Sequence, residues 1–245
     1  MRALAITHAD DGGSGVFADA AIEAGWELDV WRIFAEPEPP AEPLGYGAVL
    51  SFGGAMNTHE KELFPWLEDE RRRLTSLHEA GVPLLGVCLG AQLVSEAAGG
   101  SPGRSADPEI GWYEVELCDP GREDPLLGGM PASFEAFEWH SYECRPPTGA
   151  VTLARSPACI QAYRIGSTTY GIQFHAEVTA SDVAAWLDQY ETDPDAIRLG
   201  VDPGVLGPEN ERRMPAWNEL GRGFCRRFLD LAAASRDVRA QSGVM

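Results

Sequence analysis

Apolar and polar positions alternate along the first hundred residues in a way that marks short strands separated by helices. Ala3 to Thr7 and Leu28 to Ile33 read as strands, with a small-residue helix from Val16 to Ala24 between them. Ala48 to Phe52 is a third strand, running into Gly53-Gly54. Phe64, Leu67, Leu74 and Leu77 recur at helical spacing and predict a helix over 64–80, with Glu68–Arg72 and Asp69–Arg73 as i,i+4 pairs on its polar side. Pro83 to Val87 has few polar residues, as expected of a central parallel strand covered on both faces, and a helix follows at once from Leu89 to Ala98. The Pro- and Glu-rich stretch from Glu36 to Pro43 is a surface loop.

Beyond Gly111 the pattern becomes strand-rich, with strands predicted at 112–117, 133–139, 151–156, 160–165 and 168–174. Thr179 to Asp182 has a capping-box pattern and opens a helix carrying Val183, Trp186, Leu187 and Tyr190. Trp217, Leu220, Phe224, Phe228 and Leu231 mark a closing amphipathic helix, whose aromatic stripe is read as core packing. The prediction is an α/β fold: a mostly parallel central sheet flanked by helices, flavodoxin-like, with an added mixed or antiparallel strand region. Residues 1–245 form one domain in this reading, with a C-terminal helical extension at about 208–235.

Composition narrows the partners. Lys and Arg number 19 against 38 Asp and Glu, a net charge of −19, so a phosphate backbone or an anionic membrane surface is repelled: no nucleic acid and no membrane partner is expected. Lys61 is the one lysine, so amine Schiff-base chemistry has a single possible seat. Five cysteines without paired spacing make no disulfide framework, and no His/Cys spacing suggests zinc. With no signal-peptide pattern and no long apolar run, the expected location is the cytoplasm, with reduced thiols.

The strongest chemical signal is Gly86-Val-Cys88-Leu-Gly90, at the junction of an apolar strand and a helix. A sharp strand-to-helix turn exposes its central side chain and needs small residues two positions to either side. Cysteine occupies that centre, near a helix N-terminus whose partial positive charge favours thiolate, and the Leu89 N–H points into the same space. A base and its orienter are supplied by His175 and Glu177, whose spacing lets the carboxylate reach the imidazole. Gly53-Gly54 lets a backbone N–H approach a substrate oxygen with no Cβ in the way. His8 with Asp10 and Asp11 is read as capping the first loop, Asp11 to Gly15 as a plain turn, and Cys118, Cys144, Cys159 and Cys225 as inert.

Taken together, GVCLGAQ, SFGG and QFHAE resemble the class I glutamine amidotransferases, the cysteine-triad group that includes the glutaminase domain of GMP synthetase; the likeness covers about residues 45–190. The resemblance implies Cys88 as nucleophile, His175 as general base and acid, and Glu177 as its partner, working through a γ-glutamyl thioester with release of ammonia. It also implies Gly53, Gly54 and Leu89 as oxyanion donors, and Gln92 and the backbone after His140 (Ser141, Tyr142) as grips on the α-amino and α-carboxylate groups. No metal and no cofactor is implied. The usual His-Pro-Glu is His175-Ala176-Glu177 here, the usual Gly-Gly-Pro is Gly53-Gly54-Ala55, and His140-Ser141-Tyr142 replaces the commoner His-Gly-Asp.

Three readings follow. The first is a glutaminase passing ammonia to a synthetase subunit in trans. The second is a γ-glutamyl hydrolase or peptidase acting on a larger leaving group. The third is a binding module without turnover, disfavoured by the intact Cys88, His175 and Glu177.

Overall fold

A computed structural model describes residues 1–10 and 12–241, with side chains through residue 236. Strands β1 (Arg2–Thr7), β2 (Glu27–Arg32), β3 (Ala48–Ser51) and β4 (Leu84–Val87) alternate with helices α1 (Gly15–Glu23), α2 (Trp66–Glu79) and α3 (Leu89–Ala97). Strands β5 (Gly103–Leu117), β6 (Ser133–Glu143), β7 (Val151–Arg155), β8 (Ile160–Ile165) and β9 (Thr169–Ile172) follow, interrupted by the short α4 (Asp119–Glu123). The chain continues through α5 (Ala180–Leu187), α6 (Pro194–Leu199) and the long α7 (Pro203–Gln241).

All nine strands join one sheet in the order β2-β1-β3-β4-β9-β8-β7-β5-β6. From β2 to β9 every pairing is parallel, and from β9 to β6 every pairing is antiparallel. The parallel half has the flavodoxin-like order, with β9 taking the fifth place. The expected edge addition therefore has four strands against five in the parallel core and is antiparallel throughout. Strand β5 also begins nine residues earlier than the pattern predicts, because its first part, through Pro108, carries no period-2 apolar signal and its register with β6 shifts between Arg104 and Glu109.

Both faces of the parallel half are covered. Ala3 and Ala5 of β1, with Ala48 and Leu50 of β3, face α1 and α7, where Phe17, Phe224 and Phe228 are buried. Leu4, Ile6 and Val49 face the opposite layer, built on Leu67, Leu74 and Leu77 of α2 and Leu93 of α3. Burial of this kind contributes roughly 1.5–3 kcal/mol per large apolar side chain. The aromatic stripe of the closing helix is core, as read from the sequence. Helix α5 stops at Leu187, and Tyr190 falls in a separate 3-10 turn over Tyr190–Thr192. The expected capping box is present, Thr179 and Asp182 each bonding the other's backbone N–H. On α2 the ion pairs are i,i+3: Glu68 meets Arg71 and Asp69 meets Arg72, while Arg73 turns to Glu38 and lies over the Trp31 ring. Among the described residues no helix is long and apolar enough to cross a membrane, and the five cysteines are free.

Candidate active site

The carboxyl ends of β1, β3, β4 and β9 lie side by side; Gly53, Gly54, Cys88, His175 and Glu177 follow these strands, Gln92 lies on α3, and His140, Ser141 and Tyr142 lie on β6. Ligands of open parallel sheets bind at this edge.

Cys88 sits between β4 and α3 with φ 50 and ψ −109, the sole non-glycine residue with positive φ among the described ones. Such backbone costs about 1–3 kcal/mol and persists only where the surroundings enforce it. Two glycines enforce it here. A Cβ on Gly90 would lie 2.0 Å from the Ser51 carbonyl oxygen, and one on Gly86 would lie 2.5 Å from Gly90 and the Ala91 nitrogen. The turn is pinned further by Cys88 N–H donating to Ile172 O and Gly90 N–H donating to Phe52 O, at 2.8 and 2.9 Å. Leu89 is the first residue of α3, so its N–H has no intrahelical acceptor.

His175 and Glu177 lie just past β9, both buried, with Nδ1 of the ring 2.8 Å from Glu177 Oε1. The carboxylate accepts, so Nδ1 carries the hydrogen and Nε2 is left for the thiol. Burial works against a charge on this ring, but Glu177 and the Cys88 sulfur outweigh it, and the imidazole is held well above its ordinary pKa. Gly53 closes the third side: a Cβ there would stand 2.9 Å from His175 Cε1 and 3.7 Å from Cys88 Cβ. The edge of Trp186 packs on the His175 ring, with centroids 5.0 Å apart. Below the sulfur, Gln173 Nε2 is 3.6 Å from Cys88 Sγ, while its Oε1 accepts from Cys144 N–H and lies 3.4 Å from Gln92 Nε2.

The His175–Glu177 segment is gripped from two sides. Val16 N–H of α1 donates to Glu177 O at 2.8 Å, and a Cβ on Gly15 would fall 1.9 Å from that same oxygen. Gly15, with φ 45, is thus a contact glycine, and the first loop is more than the plain turn expected of it; Asp11 lies outside the described residues. On the other side Asn218 of α7 donates to Val178 O at 2.7 Å, and Gly221 lets the helix approach Ala176 O, 2.0 Å from where a Cβ would be.

His8 also differs from expectation. Fully buried, it leaves the first loop uncapped and reaches under the glycine loop, with Nδ1 3.1 Å from Gly53 O and Nε2 2.7 Å from Glu70 Oε2. Glu70 Oε1 accepts from Ser51 Oγ at 2.7 Å, and Trp66 stacks on the imidazole. Burial disfavours charge on His8, but the Glu70 carboxylate prevails and raises its pKa. Both ring nitrogens face acceptors, an arrangement that suits the doubly protonated ring.

These groups open into one cavity of about 610 Å³, whose lining includes Gly53, Gly54, Cys88, Gln92 and His175. Trp139, Trp186, Tyr190, Asn57 and Arg104 line it too. Gln92 Nε2 donates to Tyr142 O at 3.1 Å, and the Ser141 hydroxyl donates to Asp195. Asp195 is buried, which opposes its charge, yet hydrogen bonds from Ser141, Arg104 and Arg198 keep its carboxyl below the usual value. His140 lines the cavity as well, and its Nε2 makes a buried contact with Glu109 Oε2, 3.1 Å away. Glu109, His140 and Cys159 together form a group able to hold a metal ion, which no sequence spacing revealed. Of the remaining thiols, burial raises Cys144 well above its ordinary pKa and pushes Cys225 up to about 12.

The class-I glutamine amidotransferase family model matches residues 10–188. The chain belongs to that family. It is 27% identical over 222 residues to the glutamine amidotransferase-like protein YfeJ of Salmonella typhimurium, covering 89% of this chain and 91% of YfeJ. It is 36% identical over 164 residues to a gamma-glutamyl-L-1-hydroxyisopropylamide hydrolase from Pseudomonas, covering 62% of this chain and 55% of that protein. GMP synthases match as well, the one from Aeropyrum pernix over 25% of its length. Among solved structures, a glutamine amidotransferase from Thermotoga maritima superposes with a TM-score of 0.82 at 27% identity, covering 95% of this chain and 97% of the other.

Proposed function

We propose that this amidotransferase hydrolyses a γ-glutamyl amide, with Cys88 as nucleophile, His175 as base and acid, and Glu177 as the group that orients and charges the imidazole. The carrying observation is the strained Cys88 turn facing a buried His175–Glu177 pair across Gly53. Sγ gives its proton to His175 Nε2 and attacks the γ-carbonyl carbon. The oxyanion that forms meets backbone N–H groups of Gly53, Gly54 and Leu89, donors of a kind each worth roughly 10²–10³ in turnover. Collapse breaks the C–N bond as the imidazolium protonates the departing nitrogen, leaving a γ-glutamyl thioester and free amine or ammonia. Water, deprotonated by His175, then attacks the thioester; glutamate leaves and the thiol is restored. Gln92, Ser141 and Tyr142 line the region where the α-amino and α-carboxylate groups would rest.

With free glutamine the product is ammonia, available to an acceptor or to a synthetase subunit in trans; GMP synthases among the matches support that reading. A second reading has its own support. A cavity of about 610 Å³ exceeds what one amino acid fills, and Trp139, Trp186 and Tyr190 offer an aromatic surface beyond the scissile bond. That surface suits a γ-glutamyl amine or peptide. Comparing kcat/KM for glutamine, γ-glutamyl peptides and γ-glutamyl alkylamines separates the two, and Cys88→Ala is expected to abolish turnover of all three. Full activity in Cys88→Ala would refute the mechanism.

A further inference from the structure

Two buried side-chain amides, Gln92 and Gln173, run in line from Tyr142 to the Cys88 sulfur, and their partners fix which way each points. Tyr142 O accepts at 3.1 Å from Gln92, and a carbonyl can only accept, so the Gln92 atom facing it is Nε2. The same Nε2 lies 3.4 Å from Gln173 Oε1. That oxygen also accepts from the Cys144 backbone N–H at 3.1 Å, which can only donate, and from the Cys144 thiol at 3.2 Å. With donors gathered on its oxygen, the Gln173 amide turns its NH2 the other way, where Nε2 stands 3.6 Å from Cys88 Sγ.

The sheet explains why these groups meet. Parallel pairing of β4 with β9 sets Val87 beside Ile172, so Cys88 and Gln173, the residues that follow each strand, are neighbours. Cys88 N–H donates to Ile172 O and locks that register at the turn. The sulfur also has a group that opposes its ionisation: Trp139 O lies 3.8 Å away and accepts from the thiol, which favours the protonated form. Gln173 is the counterweight. An N–H bond to sulfur strengthens as the sulfur becomes anionic, and the donors on Oε1 polarise the amide and strengthen it further.

Building on the reading of Cys88 as nucleophile, we propose that Gln173 is a further catalytic residue, whose side-chain N–H donates to Cys88 Sγ and stabilises the thiolate. The proton passes from Sγ to His175 Nε2, while both hydrogens of the Gln173 amide stay on nitrogen. Once the sulfur is acylated it is a poor acceptor and the contact weakens. It returns as the thioester breaks and the thiolate departs, so Gln173 assists both the attack and the release of glutamate. Its bond to Gln92 joins the region expected to grip the α end of the substrate to the reacting atom.

The test follows alkylation of Cys88 by iodoacetamide in the full chain over a range of pH, read by mass spectrometry of the peptide that carries it. Gln173→Met keeps the side-chain length and removes the N–H. The rise of its alkylation rate with pH is expected to move upward by about one pH unit or more. Its kcat for γ-glutamyl amides is expected to fall about 10–100-fold, with a smaller change in KM. Gln173→Asn, which draws the amide back by one methylene, should move the profile the same way and carries the comparison if the methionine variant does not fold. Cys144→Ala disturbs the oxygen side of the amide alone; it should lower stability in urea and keep the wild-type alkylation profile. Gln173 variants that lose stability but alkylate with the wild-type profile would overturn the proposal and leave Gln173 a brace. A wild type that hydrolyses no γ-glutamyl amide would sink the proposed function, and the alkylation profiles would still decide the sulfur contact.

Discussion

The indole Nε1–H of Trp217 donates to the carbonyl oxygen of His175 at 2.8 Å, tying the middle of α7 to the backbone of the proposed base. Both residues are buried, so the bond has no water to replace it. Trp217→Phe keeps most of the ring packing against Phe134 and Phe174 and deletes only the donor. The expected loss is about 1–3 kcal/mol of stability, read from urea unfolding, with a fall in kcat larger than any change in KM. Unchanged stability and unchanged kcat would remove the strut from the account.

Glu177→Gln retains the shape of the His175 partner and removes its charge. The imidazole then loses the main influence holding its pKa up, and burial, which lowers it, is no longer offset. Turnover is expected to fall by roughly 10²–10⁴ while the fold persists, by analogy with other triads whose carboxylate is neutralised. Titrating the His175 ring by NMR checks the cause: its pKa must drop in the variant.

Relief of strain at Cys88 is measurable. Cys88→Gly and Cys88→Ala should both be inactive, but glycine accepts φ 50 and alanine does not. The glycine variant is expected to be the more stable of the two by about 1 kcal/mol in chemical denaturation, after allowance for its greater freedom when unfolded. An alanine variant at least as stable would mean that the turn is not strained.

His8 gives a pH signature. Its pKa in the folded chain lies above the ordinary 6.5, so the stability it confers is fully present below about pH 6.5 and is lost as pH rises through the folded value. His8→Gln should flatten that part of the stability-versus-pH curve. By loosening the Gly53 carbonyl it should also lower kcat by about tenfold or more with little effect on KM. A variant with the wild-type pH profile and wild-type kcat would reduce His8 to simple packing.

What the sequence made legible follows from how local each signal is. The strand-to-helix alternation over residues 1–98 needs only neighbouring residues, and the structure reproduces it nearly element by element. Cys88, His175, Glu177 and Gly53 were legible because each sits in a short run with its own turn chemistry, and the sheet order brings those runs to one edge. The contribution of His8 was not, since Glu70 is 62 residues away and Gly53 is 45 away. Gly15 could have been suspected, because a glycine opening a helix asks for a reason, but its contact with Glu177 joins residues 162 positions apart along the chain. The buried group of Glu109, His140 and Cys159 forms through antiparallel pairings, so no spacing along the chain announces it. The early start of β5 was hidden by Pro108, which reads as a loop residue and is accommodated where the register shifts.

Helix α7, reaching Val178 through Asn218 and Ala176 through Gly221, has a consequence for the order of events during synthesis. The Cys88 turn is synthesised first, and the imidazole of His175 follows 87 residues later. Until residues 203–221 leave the ribosome, the segment bearing that imidazole lacks the face it rests on. A nascent polypeptide therefore carries a strained thiol before the imidazole has its resting face, and the proposed triad is held in place only once the first part of α7 has emerged.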